Sequence, residues 1–108
     1  MKTEKILMAV TIAAAAALAR FRFVDFTGNP AGAGERALGV ANTDYAQGEQ
    51  AGVATHGEIL VEAGAAVAVG AEVESDGSGR AITKTTGVAF GVARDEALAA
   101  GDIIRVLR

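Results

Sequence analysis

Apolar and polar residues alternate with a period of two along much of the chain, the period of a strand whose two faces meet different surroundings. Residues 66–74 are the clearest case: Val67, Val69, Ala71 and Val73 share one side, and Ala68, Gly70, Glu72 and Glu74 share the other. Gly70 inside that run marks a break or a bulge. In residues 20–26, Phe21 and Phe23 oppose Arg20 and Arg22 until the parity slips and Val24 and Phe26 fall on the arginine side. A bulge near Phe23 accommodates the slip, and three of the four Phe residues gathered here make this stretch an anchor of the core. Residues 6–11 are apolar at both parities and predict a strand buried on both faces. Further strands are expected over 58–62, 80–85, 88–93 and 103–107, the last in the middle of a sheet or at an interface because four of its five residues are apolar.

The connections are equally legible. Asp76-Gly77-Ser78-Gly79 suits the positive φ angles of a tight turn and pairs 71–75 with 80–85 as a hairpin, with Lys84 guarding an edge. His56-Gly57 reads as another turn. Residues 27–36 read as a mobile surface loop opened by Asn29-Pro30. The alanine run 13–17 predicts a short helical turn or a close-packed loop, and 95–100 a single helical turn. One phrase occurs twice. Leu38-Gly39-Val40-Ala41 leads to Gly48-Glu49 and a strand; Phe90-Gly91-Val92-Ala93 leads to Gly101-Asp102 and a strand. The fold class is therefore mainly β, a small single-domain barrel or sandwich-like fold with at most short helical turns.

Composition adds a constraint on size. The chain has 108 residues, of which 25 are alanine, so its bulky apolar side chains are few. A domain this small buries a modest share of its surface, and oligomerisation is the expected remedy. The net charge of −3 argues against a direct nucleic-acid partner. The charge is unevenly spread: residues 1–36 carry net +2 and residues 37–108 net −5. That asymmetry suits the docking of two unlike surfaces, or simply a solvated acidic face.

Residues 1–19 have the composition of a secretory signal, with Lys2 and Lys5 before an apolar stretch and Ala17-Leu18-Ala19 as a small-residue site. An exported β-domain is thus the alternative reading. The strand reading of 6–11 favours an N-terminal arm or strand over 1–19, followed by a β-rich domain over 20–108. The apolar stretch falls short of the ~20 residues that span a bilayer, and no membrane partner is expected.

Catalytic chemistry finds little purchase. His56 is the sole histidine and there is no cysteine. Ser75 and Ser78 lie beside a turn, without the pattern of a nucleophile elbow. Glu72, Glu74 and Asp76 alternate on one face and offer oxygen ligands to a hard cation, although an exposed acidic strand explains them equally well. The glycine-rich loop ends in Gly34-Glu35-Arg36, not in the Gly-Lys-Ser/Thr of a phosphate loop. A biotinyl or lipoyl carrier needs a lysine at a hairpin tip, and the Asp76–Gly79 tip has none. No enzyme activity, metal or cofactor is expected.

From Phe21 to Leu107, the order Phe23-Val24, Leu38-Gly39-Val40-Ala41, Ala63-Gly64-Ala65, Val69-Gly70-Ala71, Phe90-Gly91-Val92-Ala93 and Gly101-Asp102 resembles the small capsid cement, or head decoration, proteins of tailed bacteriophages. The alanine-rich start is less typical of them. The resemblance implies a β-barrel-like subunit that forms homotrimers on the outer surface of the phage head. There it would bridge copies of the major capsid protein and stabilise the expanded shell against the pressure of packaged DNA. It carries over no catalytic residue. For capsid contact, the basic start at Lys2 and Lys5 and the loop of Gly28, Asn29, Pro30 and Gly34 are the expected positions.

Overall fold

The computed structural model describes residues 2–108, which form eight strands. They are β1 (Lys5–Ala13), β2 (Phe23–Asp25), β3 (Ala37–Ala41), β4 (Gln50–Glu62), β5 (Glu72–Ser75), β6 (Ala81–Thr83), β7 (Gly91–Ala93) and β8 (Ile103–Leu107). The eight strands pair antiparallel throughout, in the order β2-β3-β4-β8-β7-β5-β6, with β1 on β4. Val53 and Ala54 each pair with β1 and with β3, so those two strands flank β4 on opposite edges. The sheet nearly closes into a barrel: Phe23 N of β2 donates to Gly79 O, in the turn between β5 and β6, at 2.7 Å.

The doubled phrase is the surface sign of a doubled structure. Leu18 and Tyr45 exchange both backbone hydrogen bonds at 2.9 Å, and so do Val67 and Ala97. Ala14 N donates to Glu49 O at 2.8 Å while Gly48 N donates to Ala14 O at 2.7 Å; Ala63, Asp102 and Gly101 repeat the arrangement at 2.7 and 2.8 Å. The acids of the two Gly-acid turns do the same work. Glu49 Oε1 accepts from Ala46 N at 2.6 Å, and Asp102 Oδ2 accepts from Leu98 N at 2.9 Å. Each half also has an Asp-based turn: Asp25 Oδ1 accepts from the backbone N of Thr27 and Asn29, and Asp76 Oδ1 from that of Ser78 and Arg80. β4 joins the halves, its start pairing with β1 in the first and its end with β8 in the second.

Two buried clusters result. The first holds Ala14, Leu18, Val24, Ala41, Ala51 and Val53, with Val10, Ile12, Leu38 and Tyr45 half-buried against it. The second holds their counterparts Ala63, Val67, Val73, Ala93, Ile104, Val106, Ile59, Val61, Phe90 and Ala97, all buried. It also takes in Phe23, Val40 and Ala54 from the first half, with the Phe23 and Phe90 ring centroids 4.8 Å apart.

Several expectations need correction. β1 is not buried on both faces: Ile6, Leu7 and Met8 are exposed, because the strand meets the core only through Val10 and Ile12 and its register slips on both sides of Met8. His56-Gly57 is no turn but the interior of β4, where Gly57 adopts a φ of 116° and the ladder bulges. The break expected at Gly70 is present, with a φ of 82°, but of its two sides only the second forms a strand, β5. Neither 13–17 nor 95–100 is helical, and no helix occurs among the described residues. Of the three Phe residues in 20–26, Phe23 is in the core, Phe21 half-buried and Phe26 exposed. The bulge falls between Val24 and Asp25. The hairpin of β5 with β6 forms in the expected place.

Candidate interaction surfaces

The residues expected at a contact surface fall in three places. Lys2 and Lys5 are exposed at the start of β1. Gly28 lies beyond its other end, where its carbonyl accepts from Ala15 N at 2.9 Å. A nine-residue strand separates them, roughly 27 Å of chain. Gly28 is buried, whereas Pro30 is exposed and Asn29 half-buried. Gly34 sits elsewhere, donating to Ser75 O at 2.8 Å and accepting from Val88 N at 3.0 Å. The glycine-rich loop is therefore pinned along its length, not loose: Ala31 N also donates to Phe23 O at 3.0 Å.

The turn at Asp25 holds an unforeseen feature. Asp25 Oδ1 accepts from Thr27 N at 2.9 Å, Thr27 Oγ1 at 2.8 Å and Asn29 N at 3.0 Å. The ring of Phe26 is thereby held 55% exposed on a stiff tip. The period-two pattern hid it, because an aromatic residue after a strand reads as core. Leu7, Met8, Val69, Val92, Leu98 and Leu107 are likewise exposed.

Charged groups form two networks, the second of which leaves the buried Nε of Arg22 without a partner. Glu58 receives Arg94 at 2.6 Å and Arg105 at 3.2 Å, and Arg105 holds Asp95 through Nε at 2.8 Å. The side-chain hydrogen bonds of Arg105 hold the Asp95 carboxyl far below the usual carboxylate range, against the opposing effect of burial. Glu62 receives Arg22 at 3.2 Å and Arg80 at 3.7 Å, with Asp76 also on Arg80. Glu74 is buried and clamps the chain beyond β6, accepting from Thr85 N at 2.5 Å and Gly87 N at 3.3 Å. The Thr85 N–H is the main cause of its lowered pKa. Glu74 and Asp76 are thus occupied by hydrogen bonds, and no group of three or more metal-ligating side chains gathers among the described residues. Ser75 Oγ donates to Ala31 O and Asp76 O, while His56 Nδ1 lies 3.1 Å from Thr55 Oγ1; no nucleophile–base bond joins them.

What remains is a stiff, wholly β body with exposed apolar residues at its edges and tips, the equipment of an assembly component. The family model for the phage cement protein matches residues 1–108. The chain belongs to the phage cement protein family. It is accordingly a capsid-associated structural protein. Among solved structures it is similar to the base of the head fiber protein gp8.5 of bacteriophage phi29, with a TM-score of 0.77 and 20% identity over 92% of this chain and 91% of that one. At that identity the likeness is one of fold, and it agrees with the barrel-like β architecture. No curated protein sequence matches this cement protein.

Proposed function

We infer that this cement protein binds the outer surface of a phage head as a homotrimer and reinforces the lattice of the major capsid protein. The observation that carries this reading is the family match over the whole chain. The architecture supports it. Antiparallel strands and pinned loops deform little under load, and modest contacts repeated over a symmetric shell add to a large avidity. Export with cleavage after Ala19 fits the fold poorly, since it would remove β1 together with Ala14 and Leu18 of the first core.

Two footholds for the shell are proposed. One is the basic start, Lys2 and Lys5. The other is the turn that presents Asn29 and Pro30, with Phe26 beside them, while Gly28 and Gly34 shape the loop. The test mixes purified protein with expanded heads that lack it. Co-sedimentation, outer density at three-fold positions by cryo-electron microscopy, and DNA release at a higher temperature are expected. Absence of binding to expanded heads defeats the reading. Deleting residues 2–5 and replacing Phe26 by Ala test the footholds separately, and each is expected to weaken binding.

A further inference from the structure

The two halves are built alike but are not equally covered. In the first half, Val40 is 2% and Ala54 5% exposed, because this second face of the sheet packs on the core of the second half. Their counterparts in the second half, Val92 and Leu107, are 40% and 44% exposed. The pairings define the correspondence: Val40 pairs with Phe23 as Val92 pairs with Glu72, and Val92 pairs with Leu107. The opposite imbalance affects the cores. Ile59, Val61 and Phe90 of the second half are buried, whereas Val10, Ile12 and Leu38 of the first are only half-buried. One half therefore has a core covered only in part and the other an uncovered outer face. The chain already shows how such a face and such a core fit together.

We propose that the outer face of the second half, centred on Val92 and Leu107, docks on the open core of the first half of another copy, at Val10, Ile12 and Leu38. The contact repeats between molecules what the first half does to the second within one. A contact between like patches would leave both mismatches in place, whereas a face-on-core contact removes both, and without a two-fold axis it runs head to tail. Head-to-tail contacts close into a ring when the rotation permits, and three copies would present six similar halves. The number of copies rests on the trimer proposed above; the surfaces do not depend on capsid attachment.

The chain has no cysteine, so cross-linking is clean. Within the chain Phe23 meets Phe90; between chains the corresponding pair is Glu72 and Leu38. The double variant Glu72→Cys/Leu38→Cys is expected to give intermolecular disulfides that stop at three chains on a denaturing gel, and each single variant none. A disulfide dimer from either single variant, or no disulfide from the double variant, overturns the contact. A ladder beyond three chains supports the contact and defeats the closed trimer. Val92→Glu/Leu107→Glu is expected to reduce the assembled mass to that of a monomer with an unchanged circular dichroism spectrum; retained assembly overturns the proposal. Unaltered protein that coats heads but stays monomeric refutes this contact and spares the capsid reading, whereas unaltered protein that assembles but ignores heads does the reverse.

Discussion

At the scale of single residues, the glycine of the doubled phrase has a steric reason. A Cβ on Gly39 would collide with the carbonyl oxygen of Ala54, and one on Gly91 with that of Leu107. Both collisions are with backbone of the neighbouring strand, which cannot step aside. Gly39→Ala and Gly91→Ala are each expected to cost at least about 2 kcal/mol in chemical unfolding. Gly77→Ala, with open space around it, should change stability by less than about 0.5 kcal/mol. Asp95 makes a second prediction. Its folded pKa is depressed by Arg105, so its contribution is complete above the ordinary aspartate pKa of about 3.9 and fades as pH falls below it. Asp95→Asn should cost about 2 kcal/mol near neutrality, and the gap to the unaltered protein should narrow in melts at pH below about 3. A gap that stays constant with pH would show that the ion pair is not its source. None of this partnership was legible beforehand, because Asp95 and Arg105 meet only when β7 and β8 pair.

At the scale of elements, β1 and the end of β4 are counterparts with different burdens. Ile59 is fully buried and Val10 is not. In a monomeric background such as the Val92→Glu/Leu107→Glu variant, Ile59→Ala should cost about 3 kcal/mol and Val10→Ala about 1 kcal/mol. In the assembled protein the second cost should rise toward the first. Equal costs in the monomer would mean that β1 is better covered than its exposure indicates. The alternation of 66–74 misled for a related reason. Strand-like parity was real, but Gly70 turns the backbone and Val69 ends 64% exposed, so before it only the single Val67–Ala97 bridge forms and after it β5 pairs as a strand. Phe21 adopts a φ of 67° where Gly70 stands in the other half. That left-handed backbone costs a non-glycine residue roughly 1–2 kcal/mol, and no pattern of hydrophobicity announces it. Removing residues 2–13 deletes the partner of half of β4. The truncated chain is expected to lose its cooperative thermal transition, while removal of residues 2–5 leaves it intact.

At the scale of the whole molecule, the protein is two similar halves packed in one direction only. The second half gains a full core from the first, and the first gains none in return. A monomer therefore carries an unsatisfied face and an unsatisfied core, in keeping with the alanine-rich composition that left so little bulk for either. Assembly and function are coupled on this reading. Stability should rise with protein concentration, because association draws the folded state by mass action, and melting temperatures measured across a dilution series check this. A melting temperature independent of concentration would count against association of the free protein.

The sequence by itself determined the β class, the hairpin at Asp76–Gly79, the doubled unit and the resemblance to cement proteins. These depend on local turn chemistry, on period-two alternation and on the order of short motifs, all of which are written along the chain. Only the tertiary structure decided which strands lie inside, which ion pairs form, that Phe26 is held outward and that the halves are unequally covered. The reason is physical. Two copies of nearly the same local sequence acquire different burial because each half meets a different neighbour, and that neighbour is set by packing.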